Sequence, residues 1–116
     1  MQPEGEDASY LWDMLEAGRE ALEFFQGAEL QQFLNNRGLQ LIVERELEII
    51  GEAARRVSAS FCDDHPEIPW HEIVGQRNVL AHDYGDIDQE LVWKVMTEEL
   101  PHLVRQLTDL LPSPRG

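Results

Sequence analysis

Apolar residues return at intervals of three and four through almost the whole chain, a spacing that restricts it to helices packed face to face. The pattern is plainest from about residue 38 to 60. There Leu39, Ile42, Val43, Ile49, Ile50, Ala53, Ala54, Val57 and Phe61 share one side of a helix. Glu44, Glu48, Glu52 and Arg55 fall on the other side. Ala53 and Ala54 have so little side chain that a neighbouring helix can come close. Asp63-Asp64-His65-Pro66-Glu67-Ile68-Pro69 ends the run, because its two prolines forbid a regular continuation.

Upstream, Tyr10, Leu11, Met14, Leu15, Gly18, Leu22 and Phe25 mark a first helix, capped by Asp7 or Ser9 and ending near Gly27. Leu30, Phe33 and Leu34 suit a short amphipathic turn, and Asn35-Asn36-Arg37-Gly38 a loop. A third helix begins near Pro69, where proline suits the first helical position, and stops near Gly85. Asp86 or Asp88 then caps a fourth, with Val92, Val95, Met96, Leu100, Leu103, Leu107 and Leu110 on its inner face. Pro101 should kink or restart it, and Pro112-Ser113-Pro114 ends it. No stretch reads as a strand. The expected fold is all-α, an antiparallel bundle of four to five helices. Residues 1–6 read as a flexible acidic tail, 7–111 as one helical domain and 112–116 as a C-terminal tail.

At 116 residues, 42% of them apolar, the chain can bury a single core. It has no run of roughly 18 apolar residues to span a membrane. Its acidic start has neither the basic nor the apolar region of a signal peptide. Cys62 is alone, and no Cys/His spacing suggests zinc, so neither a metal nor a cofactor is expected. A cytoplasmic location is the simplest reading. The net charge of −14, with Lys94 the single lysine, argues against non-specific nucleic-acid binding and against anionic membranes. DNA is not an expected partner. Any phosphate chemistry must be local, or must draw positive charge from a partner.

Two charges fall on faces that should be apolar. At about 100° per residue, Trp70, Ile73, Val74, Leu80, Ala81 and Tyr84 cover one arc of the third helix, with Arg77 near its middle. Glu46 lies near the centre of the apolar arc of the second helix. A buried guanidinium is costly without an acceptor, and a Glu46–Arg77 pair across the two helices would resolve both anomalies. Such a pair can be purely structural, fixing register. His82 lies about 140° around the helix from Arg77, while Tyr84 is almost back on the Arg77 face. A straight helix therefore does not gather all three. Either the helix loosens before Gly85, or a second chain completes the site. Val79, apolar on the outer side, favours a dimer.

An arginine can clamp phosphate oxygens at two points and stabilise developing charge. A histidine titrates near neutral pH and can act as base or acid. Cleavage of RNA by its own 2′-hydroxyl needs a base, an acid and positive charge on the phosphate. A symmetric dimer would offer two copies of each group without a metal. The Tyr84 phenol can orient the phosphate or be modified, which would fill the cleft with negative bulk.

Arg77-Asn78-Val79-Leu80-Ala81-His82-Asp83-Tyr84 has an arginine, four residues, a histidine, any residue and a tyrosine. With Glu44 through Ala54, Pro66-Glu67-Ile68-Pro69-Trp70 and the Leu100-Pro101 helix, it resembles the HepT-like proteins of the HEPN superfamily over roughly Asp7 to Leu111. The resemblance implies an all-α homodimer with the two signature segments lining a cleft. It implies a metal-independent endoribonuclease acting as the toxin of a toxin–antitoxin pair. Arg77 and His82 are then the catalytic candidates, Asn78 and Glu46 supporting residues. Tyr84 is the site at which a minimal nucleotidyltransferase antitoxin adds AMP. RNA, a second copy and that enzyme are the implied partners. Two other readings stay open: a non-catalytic acceptor subunit of the nucleotidyltransferase, and a plain helical interaction module.

Overall fold

The computed structural model describes residues 5–82 and 87–111. Its elements in chain order are α1 (Gly5–Phe25), α2 (Leu30–Leu34), α3 (Arg37–Arg56), α4 (Ala59–Asp64), α5 (Trp70–His82), α6 (Gln89–Lys94), a π-helical turn (Val95–Glu99) and α7 (Leu100–Leu110). The described residues are thus all-α, with no strand among them. Gly5 and Glu6, expected in the tail, already belong to α1. No described helix is long and apolar enough to cross a membrane.

α3 is the hub. It packs against α1 on one side and α5 on the other, and α1 also packs against α7. The Asp7 carboxylate, at the start of α1, accepts hydrogen bonds from Ser58 N–H (2.9 Å) and Oγ–H (2.6 Å), just past the end of α3. α1 and α3 therefore run antiparallel. Leu11, Met14, Leu15, Val43, Ile50 and Leu107 are fully or almost fully buried between these helices. Phe25, Phe33 and Trp93 stack with ring centroids 5.0–5.8 Å apart and tie the ends of α1, α2 and α6 together.

The end of α3 differs from the one the residue pattern suggests, while the Pro101 and Asp88 boundaries follow it. The helix expected to run to about residue 60 ends at Arg56, and Ser58 opens α4 by accepting the Phe61 N–H on its own side chain. A serine that caps offers the backbone an alternative to continuing a helix, and the bond to Asp7 holds it there. Phe61 accordingly leaves the α3 face and stacks near His65 and Trp70. Pro101 has no N–H to give the preceding turn. The helix restarts there as expected: a wider π turn leads into α7, whose first turn holds Pro101, and Thr97 Oγ–H bonds back to the Trp93 carbonyl at 2.9 Å. Asp88 caps α6 through the Glu90 and Leu91 N–H groups; Asp86, the other expected cap, lies outside the described residues.

Glu44 was expected on the solvent side of α3 and is instead buried. It accepts from Arg37 Nη1 at 2.8 Å and from Gln89 Nε2 at 2.7 Å, because the start of α6 folds over it.

Candidate active site

The turn after α4 sets the position of α5. Trp70 Nε1–H bonds to the His65 carbonyl at 2.9 Å, Ile68 is buried, and Pro69 accepts the Ile73 N–H at 3.0 Å. α5 then doubles back along α3 and comes closest at Gly51. A Cβ added to Gly51 would run into Arg77 Cβ and lie 3.1 Å from the Ile73 carbonyl oxygen. Ala53 and Ala54, expected to admit a neighbour, are buried, and Gly51 is where the backbone of α3 and Arg77 of α5 come together. Glycine costs about 1 kcal/mol against alanine inside a helix, so Gly51 is explained by the contact.

Arg77 is partly buried, as its phase on the helix suggests, but its partner is not Glu46. Arg77 Nη2 lies 3.3 Å from Glu52 Oε2, and Nη1 donates to Asn78 Oδ1 at 3.2 Å. Its Nε is buried with no hydrogen-bond acceptor among the described residues. The expected Glu46–Arg77 pair fails on register: Gly51 brings Arg77 level with Glu52, while Glu46 meets Glu20 of α1.

Glu52 gathers three arginines. Arg55 donates Nη2–H to Oε1 at 2.7 Å and Nε–H to Oε2 at 3.3 Å, and Arg56 donates Nε–H to Oε1 at 3.1 Å. With Arg77 this makes one carboxylate against three guanidinium groups. Its pKa is pushed down to about 2, first by the Arg55 hydrogen bonds, with Arg56 and Arg77 adding. In a chain of charge −14 this is a local concentration of positive charge.

Glu46 shows the reverse. It is buried, its Oε2 has no hydrogen-bond partner, and its pKa is pushed up to about 7, first by burial and then by Glu20 on α1. Glu20, Glu46, Glu52 and Arg77 all line one open groove of about 620 Å³ that runs between α1 and α3. Among the described residues no group of three or more His, Cys, Asp and Glu side chains could hold a metal ion.

His82 is exposed at the last position of α5, which is helical through that residue. One chain therefore does not bring His82 onto the Arg77 face. Asn78 and Val79 are exposed between them. Tyr84, the expected modification site, and the stretch where the helix was expected to loosen fall in 83–86, outside the described residues. Sequence reasoning missed Gly51 and Glu52 as site residues. A glycine inside a strongly amphipathic helix is the signal that could have marked the contact.

An all-α chain with an arginine wedged between two helices and an exposed histidine five residues further on defines the class. The profile of the family described as "Ribonuclease HepT-like" matches residues 14–110. The chain belongs to this HepT-like family of the HEPN superfamily. Among its relatives, "Putative RNase MJ1380" of Methanocaldococcus jannaschii is 38% identical, covering 85% of this chain and 91% of its own. "Probable ribonuclease HepT" of Thermococcus cleftensis is 39% identical over 81% of this chain and 86% of its own. "Putative RNase TTE0752" of Caldanaerobacter subterraneus subsp. tengcongensis is 31% identical over 88% and 91%. No solved structure matches the chain.

Proposed function

We propose that this protein is a metal-independent endoribonuclease, the toxin of a toxin–antitoxin pair, working at a cleft between two copies. The observation that carries the reading is Arg77: a guanidinium lodged over Gly51, oriented by Glu52, just over one helical turn before an exposed histidine. Family membership and the names of the relatives supply the reaction class.

Arg77 clamps the scissile phosphate and stabilises the charge that develops on it. His82 of one copy takes the 2′-hydroxyl proton, and His82 of the other protonates the leaving 5′-oxygen. Two copies are needed because one helix points the two side chains apart. The exposed Val79 lies on the face that a second copy would cover. Asn78 steadies Arg77 through Oδ1. A partner nucleotidyltransferase silences the site by attaching AMP to Tyr84, which adds negative charge where phosphate must bind.

The test is cleavage of RNA by the purified dimer with and without EDTA. Activity is expected to survive EDTA, to fall about 10²–10⁴-fold in His82→Ala and about 10²–10³-fold in Arg77→Ala. Equal activity in both variants would remove the catalytic assignment. The charge of −14 favours one second reading, a non-catalytic acceptor subunit of the nucleotidyltransferase. Under that reading the dimer cleaves nothing, yet gains AMP mass with partner and ATP, and Tyr84→Phe abolishes the gain.

A further inference from the structure

The arginines around Glu52 exceed what a structural ion pair needs. Each guanidinium carries five N–H donors, while a carboxylate offers about four acceptor sites. Glu52 accepts two hydrogen bonds from Arg55 and one from Arg56, and forms an ion pair with Arg77 at 3.3 Å. Three positive charges on one negative make the immediate cluster cationic, within a groove that Asp13, Glu16, Glu20, Glu46 and Glu48 also line. The Arg55 and Arg56 side chains remain about half exposed, 52% and 54%, whereas Arg77 is 26% exposed. The inner guanidinium is fixed and the outer two face solvent.

Position adds to charge. Arg55 and Arg56 stand three and four residues beyond Glu52 on α3, and their guanidinium groups reach the same carboxylate as Arg77, at 2.7 and 3.1 Å against 3.3 Å, so the outer pair lies directly beside the inner one. They lie on the side of Arg77 away from His82, because α5 doubles back along α3. His82, Arg77 and the Arg55–Arg56 pair therefore succeed one another along the molecule.

We propose that Arg55 and Arg56 form a second phosphate subsite, which holds the phosphate next to the one clamped by Arg77 on a single-stranded polynucleotide. The subsite rests on the ribonuclease reading for the identity of the polymer as RNA. Glu52 draws the two guanidinium groups together, while their charge supplies the binding. Glu52 takes one edge of the Arg55 guanidinium and the Nε–H of Arg56, which Tyr10 also contacts, and further N–H groups of both remain for phosphate. The subsite also answers the charge objection. A chain at −14 repels RNA as a whole, so binding must come from a few concentrated cations, and these are the ones gathered on a single carboxylate.

The experiment measures binding of 2′-O-methyl uridine oligonucleotides, which the 2′-hydroxyl route cannot cleave, carrying one, two or three phosphates. Wild type is expected to gain about tenfold in affinity from the second phosphate. Arg55→Gln with Arg56→Gln should lose that gain and keep its affinity for the single-phosphate ligand, with the salt slope lower by about 1–2. Arg105→Gln, on the exposed side of α7, is the charge control and should change little. Circular dichroism checks the fold, which these half-exposed side chains do not support. The subsite is wrong if the double variant keeps the second-phosphate gain, if wild type shows none, or if Arg105→Gln loses as much. Cleavage of RNA is scored separately. Phosphate counting without cleavage keeps the subsite and sinks the ribonuclease reading. Cleavage with an unchanged KM in the double variant keeps the ribonuclease reading and sinks the subsite.

Discussion

Glu46 and Glu52 are six residues apart on one helix and line the same groove, yet the first carboxyl is pushed up to about 7 and the second down to about 2. The residue type is the same, so neighbours make the difference. Glu46 turns toward α1, where it meets burial and another carboxylate, Glu20. Glu52 turns toward α5 and meets Arg55, Arg56 and Arg77. One helix thus separates an acidic flank from a cationic one. On the proposed reading, RNA approaching this groove would be repelled along α1 and attracted at Arg77, restricting its path to the α5 side.

The contrast depends on Gly51, which lies between the two glutamates and sets which of them Arg77 can reach. Gly51→Ala should therefore have the largest effect. The new methyl group meets Arg77 Cβ and the Ile73 carbonyl, both on a packed helix with little room to move. Overpacking of this kind costs about 3 kcal/mol, read as a lower urea midpoint with an unchanged m-value. Cleavage should fall with it, since α5 carries Arg77. An alanine variant as stable as the parent would show that the two helices are not locked at this level.

Much of this was legible beforehand. The three-and-four spacing located α1, α2, α3 and α7, and phase alone placed Arg77 and Glu46 on inward faces and His82 elsewhere. Phase says which way a side chain points; it does not say at what height two helices meet. That height decided between Glu46 and Glu52, and it is set by a missing Cβ. The end of α3 was hidden for a similar reason. Val57-Ser58 contains no proline or glycine, and the bond that stops the helix comes from Asp7, 51 residues away. Glu44 had all the marks of a surface residue until α6 brought Gln89 over it.

Glu46→Gln tests the acidic flank and should have the next largest effect. Its folded pKa, about 7, lies above the ordinary 4.5, so between these values the folded chain keeps a proton that the unfolded chain has lost. Stability then falls as pH rises from about 4.5 to 7, and the whole penalty is present above 7. Glutamine carries no charge and can still donate to Glu20. The variant should match the parent at pH 4 and exceed it by about 2 kcal/mol at pH 8, measured by urea denaturation at both values. The groups facing Glu46 are Glu20 from α1 and Arg45 on its own helix, so Glu20→Gln should recover part of the same gain. A pH-independent difference would mean that Glu46 is ionised in the fold after all.

Glu52→Gln should change stability least and function most selectively. The depressed pKa means that its contribution is present above about 4.5 and is lost as pH falls toward 2. The group is partly exposed and its arginines more so, and screening by solvent limits the effect at pH 7 to less than about 1 kcal/mol. Removing its charge leaves the Arg55, Arg56 and Arg77 cluster more positive, so RNA should bind no more weakly. The same change frees Arg77 from the anchor that orients it, so the chemical step should slow by about tenfold through lost preorganisation. The expected signature is a reduced kcat with an unchanged or lower KM. A raised KM would instead mean that Glu52 supports binding, and that the cationic flank needs its counter-charge to stay assembled.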